Sequence, residues 1–116
     1  MRHHNQNRKF GRETNERRAL LRGLALSLID KGRIRTTEAK AKELRPFIER
    51  LITKARENTL SSRRSVTSTL GNVEGGRKLV NEISLKYKER SGGYTRIVKL
   101  EPRKSDGAKM AVIEFI

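Results

Sequence analysis

Tyr94-Thr95-Arg96-Ile97-Val98-Lys99-Leu100 and Met110-Ala111-Val112-Ile113-Glu114-Phe115-Ile116 are the two stretches on which the fold turns. Each is short and rich in β-branched or aromatic residues. Gly92-Gly93 precedes the first, and Pro102 and the turn pair Asp106-Gly107 separate the two. That pattern predicts two strands. In the second, Ala111, Ile113 and Phe115 alternate onto one face, assigned to the core, while Met110, Val112, Glu114 and Ile116 take the other. Three residues of that second face are apolar, more than a water-facing sheet usually carries. Met110, Val112 and Ile116 are therefore read as a face covered by a protein neighbour, or by a second copy in the free state.

Upstream of these strands the apolar period changes from two to between three and four. From Glu13 to Lys31, Leu20, Leu21, Leu24, Leu28 and Ile29 form one helical stripe, and Gly32 suits a left-handed helix end. Arg33 to Thr37 is short and β-compatible, and Thr37 can cap a second helix. That helix carries Ala41, Leu44, Ile48, Leu51, Ile52 and Ala55, with a kink expected at Pro46. Residues 61–71 form a weaker helix with Val66 and Leu70 inside. Asn72, Gly75 and Gly76 mark a break, and a helix from Arg77 to Glu89 buries Leu79, Val80, Ile83 and Tyr87. The fold class is α+β: two layers, with about four helices on one face of a small mixed three-stranded sheet. Residues 13–116 make a single domain. Residues 1–12 are basic, contain no acid, and offer only Phe10 as a large apolar group, so they read as an extended N-terminal arm that orders on a partner.

Charge says what kind of partner. Lys and Arg total 28 against 13 Asp and Glu, a net charge of +15, and the excess is spread along the whole chain. So broad a distribution argues against one small anionic pocket and for a phosphate-facing surface. Arg outnumbers Lys by 17 to 11, which favours the planar, forked contacts of structured recognition over diffuse attraction. The arm contributes Arg2, His3, His4, Arg8, Lys9 and Arg12. Arg17, Arg18 and Arg22 lie off the apolar stripe of the first helix, and Arg63 and Arg64 lie on the outer side of the third. Arg90, Gly93, Tyr94 and Arg96 come from a stretch with the basic and glycine start of an RNA-stacking strand. It has only one aromatic, and the element order is wrong for an RRM domain.

Other classes fail on the residues. Without Cys there is neither a disulfide framework nor a thiolate metal site. His3 and His4 are adjacent, not at the i, i+4 spacing of a helical metal site, so no metal or other cofactor is expected. With His confined to the arm, a base can hardly be held rigidly beside a nucleophile. The chain is therefore read as no enzyme, with no small-molecule substrate. Gly75-Gly76 and Gly92-Gly93 match no phosphate-loop pattern and read as tight turns. The most apolar run, Leu20 to Ile29, contains Arg22 and cannot span a bilayer. The N-terminus lacks a secretory core, so a soluble cytoplasmic protein with no membrane partner is expected.

The motifs also resemble those of a known family. Met1-Arg2-His3-His4, Gly11-Arg12 and Arg18-Ala19-Leu20-Leu21-Arg22 are similar to the N-terminus of the bacterial large-subunit ribosomal protein L17 family. The likeness continues through Thr36-Thr37-Glu38-Ala39-Lys40-Ala41-Lys42-Glu43-Leu44-Arg45 and Leu51-Ile52-Thr53-Lys54-Ala55. It closes on Gly92-Gly93-Tyr94-Thr95-Arg96-Ile97 and Met110-Ala111-Val112-Ile113-Glu114. Thr36, Thr37 and Lys40 join the candidate RNA contacts. The chain departs from the family at Thr14-Asn15-Glu16-Arg17, where members often carry Ser-Ser-His-Arg, so Glu16 is not among the candidates. The resemblance implies helices covering a small sheet, a structural role in the large subunit, and binding of large-subunit rRNA. It also implies contact with neighbouring ribosomal proteins near the rim of the exit tunnel. Two other classes fit a small basic chain, a nucleoid-type DNA binder and an RNA-processing enzyme subunit. Retention on the large subunit through a high-salt wash separates the three.

Overall fold

A computed structural model describes residues 14–116, so the arm lies outside the described residues. Helix α1, Thr14–Lys31, buries Ala25, Leu28 and Ile29. It closes where Gly32 takes φ 82° and its N–H donates to the Leu28 carbonyl at 2.7 Å, a left-handed end that a side chain would strain. Strand β1, Arg33–Thr37, comes next. Thr37 then caps α2, Glu38–Arg56, its hydroxyl accepting from the Lys40 N–H. All six apolar residues read from the sequence of α2 are buried, making this helix the centre of the core. The helix continues across Pro46 as one element.

Helix α3, Leu60–Leu70, opens with a capping box: the Ser62 N–H donates to Thr59 Oγ1 at 3.0 Å, and the Thr59 N–H to Ser62 Oγ at 2.9 Å. The expected break at Gly75 and Gly76 is not there. Asn72 caps α4, Val73–Lys78, and both glycines lie inside it. They are small because α4 packs closely. A Cβ on Gly76 would sit 2.5 Å from Thr67 Oγ1 and 3.1 Å from Thr67 Cα, and one on Gly75 would collide with Leu26. The helix runs on as a π-helical turn, Leu79–Ile83, and a 3-10 turn, Ser84–Tyr87. Where this winding changes, Ser84 Oγ donates to the Val80 carbonyl at 2.8 Å. The predicted set Leu79, Val80, Ile83 and Tyr87 is buried.

Strand β2, Thr95–Lys99, and strand β3, Met110–Phe115, complete the sheet in the order β1-β3-β2. Both pairings are antiparallel, so the sheet read as mixed has no parallel pair. The last strand is thus the middle one, inserted between its two partners. Ile34, Ile97, Ala111, Ile113 and Phe115 pack into the helix-covered core. The other face consists of three cross-strand rows: Arg33–Glu114–Arg96, Arg35–Val112–Val98, and Thr37–Met110 with Leu100 beside it.

These rows correct the reading of Met110, Val112 and Ile116 as an apolar partner face. Met110 and Val112 are only 6% and 8% exposed, yet neither belongs to the core cluster. A middle strand has neighbours on both sides, and their side chains close over its short apolar residues. Ile116 alone of the three is open.

Candidate nucleic-acid interface

Helical packing brings α1 and α3 side by side, and with them several of the predicted cations. Arg18 and Arg22 stand one turn apart on α1. With Leu21, Phe47, Ser68 and Thr69 they line a concavity between α1, α2 and α3. Arg22 is fixed there, its Nε donating to the Thr69 carbonyl at 2.9 Å. Arg64 stands one turn before Ser68 on the same side of α3. Arg18 and Arg64 are exposed and have no carboxylate partner among the described residues. Adjacent helical residues diverge, so Arg63 points elsewhere. It lines a separate hollow with Arg77, and its Nε donates to Asn58 Oδ1 at 2.9 Å. Arg17 is half-buried on α1. Arg2, His3, His4, Arg8, Lys9 and Arg12 lie outside the described residues.

Several other predicted contacts also serve the fold or lie at its edge. Tyr94 is fully buried. Its hydroxyl lies 3.0 Å from Thr53 Oγ1, accepts from Arg56 Nη1 at 3.1 Å and donates to the Arg90 carbonyl at 3.3 Å. Its ring packs on Tyr87 at a centroid distance of 5.1 Å. It has no free face for a base, and sequence could not show this because two of its partners, Thr53 and Arg56, lie 41 and 38 residues away. Thr36 is buried on the core face of β1, and the Thr37 hydroxyl is spent on capping. Lys40 is half-buried on the first turn of α2. Arg90 stacks over the Tyr87 ring at 5.7 Å, and its Nη1 donates to the Gly93 carbonyl at 3.2 Å. Gly93 itself takes φ 65°, a turn conformation. Arg90 and Gly93 thus brace the turn into β2, which Glu49 Oε2 anchors from α2 by accepting from the Thr95 N–H at 3.1 Å and Thr95 Oγ1 at 2.8 Å.

Arg96 is exposed and pairs with Glu114 at 3.2 Å. Beside it the structure adds two cations that the sequence reading missed, Arg33 and Arg35, on the same face of the sheet. Their signal was alternation across Arg33-Ile34-Arg35, which puts both Arg on the face opposite Ile34. Elsewhere charge is balanced locally. Lys42 bonds Glu38 at 2.8 Å and, with Lys99 and Lys109 near, holds that carboxyl below its usual range. Arg103 binds Asp106 in a two-pronged pair at 3.0 and 2.8 Å; this bond and the Ala108 N–H lower Asp106 to about 2. Among the described residues no group of three or more His, Asp or Glu side chains could hold a metal ion. No helix among them is long and apolar enough to cross a membrane.

Exposed arginines on a small α+β body give this chain the charge pattern of the basic, polyanion-facing class of proteins. Residues 20–116 match the family model described as Ribosomal protein L17. The chain is 54% identical over all 116 residues to the large ribosomal subunit protein bL17 of Gemmatimonas aurantiaca, covering 98% of that protein. It is 49% identical to the protein of that name from Fusobacterium nucleatum over the full length of both chains. It is 48% identical to that of Campylobacter jejuni, covering 99% of it. The chain belongs to the ribosomal protein L17 family, whose members are structural ribosomal proteins and not enzymes.

Proposed function

We propose that the chain binds and stabilises folded rRNA as a structural constituent of the large subunit of the cytoplasmic ribosome, beside neighbouring large-subunit proteins. Residues 1–12 act as a basic arm on a single α+β domain formed by residues 13–116. The supporting observation is that Arg18 and Arg22 line one concavity, with Arg22 oriented by the Thr69 carbonyl, while Arg64 stands exposed one helical turn before Ser68, which lines it too. A guanidinium held by its Nε still presents its terminal nitrogens, which suit the oxygens of a phosphate. Contacts of this kind set register on folded RNA, and the arm adds Arg2, Arg8, Lys9 and Arg12 as further phosphate ligands.

The test compares the full chain, the R18Q/R22Q/R64Q variant and a chain starting at residue 13 for binding to large-subunit rRNA. Each lost phosphate contact lowers the slope of log affinity against log salt by about 0.7 to 0.9. Both altered chains should show reduced slopes with circular dichroism unchanged. Unaltered slopes in both would refute this reading.

A further inference from the structure

The open face of the sheet carries charge that the helical site does not use. Its first row sets Arg33 and Arg96 on either side of Glu114, and the second sets Arg35 and Val98 on either side of Val112. Arg96 leans on Glu114, whereas Arg33 and Arg35 are exposed and have no carboxylate partner among the described residues. Three arginines thus share this face with one carboxylate. Val98 and Leu100, 44% and 37% exposed, continue the face along β2.

We propose that this face is a second rRNA-docking surface, taking one RNA strand with its phosphates on Arg33, Arg35 and Arg96 and its sugars or bases over Val98 and Leu100. The proposal rests on the rRNA-binding reading above and assigns it a further site. Charge complementarity picks the occupant. Arg33 and Arg35 lie two residues apart on one strand, about 6.6 Å, a separation on the scale of successive phosphates. Arg also stacks on base planes, and half-exposed aliphatic side chains accept the apolar faces of sugar and base. A protein partner fits less well, because interface centres are depleted of charge and enriched in contiguous apolar area. Here Met110 and Val112 are already covered, and the Arg96–Glu114 row separates Ile116 from Val98 and Leu100.

The experiment measures binding to folded large-subunit rRNA by full-length wild type, R33Q/R35Q, V98E, and K86Q/K104Q as a charge-matched control at exposed lysines outside these rows. Melting curves verify folding. R33Q/R35Q should bind about tenfold or more weakly than K86Q/K104Q, with a salt slope lower by roughly 1.5. V98E, which adds a carboxylate beside the Arg rows, should bind weakly too. Backbone footprinting should show one rRNA segment losing protection, while protections that depend on residues 1–12 persist. If R33Q/R35Q and V98E bind like the control, the proposal is overturned. It is equally overturned if they bind naked rRNA normally but their subunits lose a neighbouring protein, since the face would then belong to that protein. Failure of the wild type to bind would instead remove the parent reading, and this proposal with it.

Discussion

The Tyr94 hydroxyl sits among Thr53, Arg56 and the Arg90 carbonyl, and two of these contacts come from the last turns of α2. Arg56 depends on this arrangement. Its Nη1 donates to Tyr94 and its Nη2 to the Lys88 carbonyl, while its Nε is buried without a partner. Tyr94→Phe would leave the guanidinium with the Lys88 carbonyl alone. Hydrogen bonds to charged groups contribute about 1.5 to 3 kcal/mol, so this variant should be destabilised by about that amount in urea melts. Its affinity for rRNA, measured where it is still folded, should stay at the wild-type level. A normal melt with weakened RNA binding would make Tyr94 an RNA contact after all. At this scale the sequence reveals side-chain chemistry but not its destination. Gly92-Gly93-Tyr94 reads equally as RNA contact or as turn, and only contacts 38 to 41 residues away decide.

Elements are more legible, with one informative exception. The helices α1, α2 and α3 and all three strands follow from periodicity and caps, which are local and therefore written in local sequence. Helix α4 escapes such a reading because two glycines normally weaken a helix. Here they admit close approach to Thr67 and Leu26, a tertiary requirement that overrides propensity. Gly76→Ala would improve intrinsic propensity and still destabilise, by about 1 to 3 kcal/mol, because the new methyl group meets the Thr67 backbone. A denaturant melt showing stabilisation would refute this packing. The β2–β3 connection gives a pH prediction. Asp106 is lowered from 3.8 to about 2, first by the Arg103 hydrogen bond and then by the Ala108 N–H. A depressed carboxyl contributes order that is present above its ordinary range and lost as pH falls toward about 2. The amide resonances of Gly107 and Ala108 should therefore hold steady down to pH 4 or so and move below it. In Asp106→Asn that transition should be absent.

For the molecule as a whole, one layer of helices and one small sheet share a single core, which leaves two broad surfaces free to carry charge. The α+β class, the helical Arg set and the excess of positive charge are all readable from sequence. The grouping of Arg33 and Arg35 with Arg96 is not, because their common face exists only once β3 inserts between β1 and β2. The same insertion covers Met110 and Val112; alternation assigns them a face but not the neighbours that close over it. If these surfaces bind rRNA by neutralising phosphates, as proposed, the most direct measure is affinity for folded large-subunit rRNA across a salt series. If about six to ten phosphates are engaged, affinity should fall by roughly three to five decades between about 50 and 200 mM salt. An affinity that stays nearly flat across that range would contradict the account.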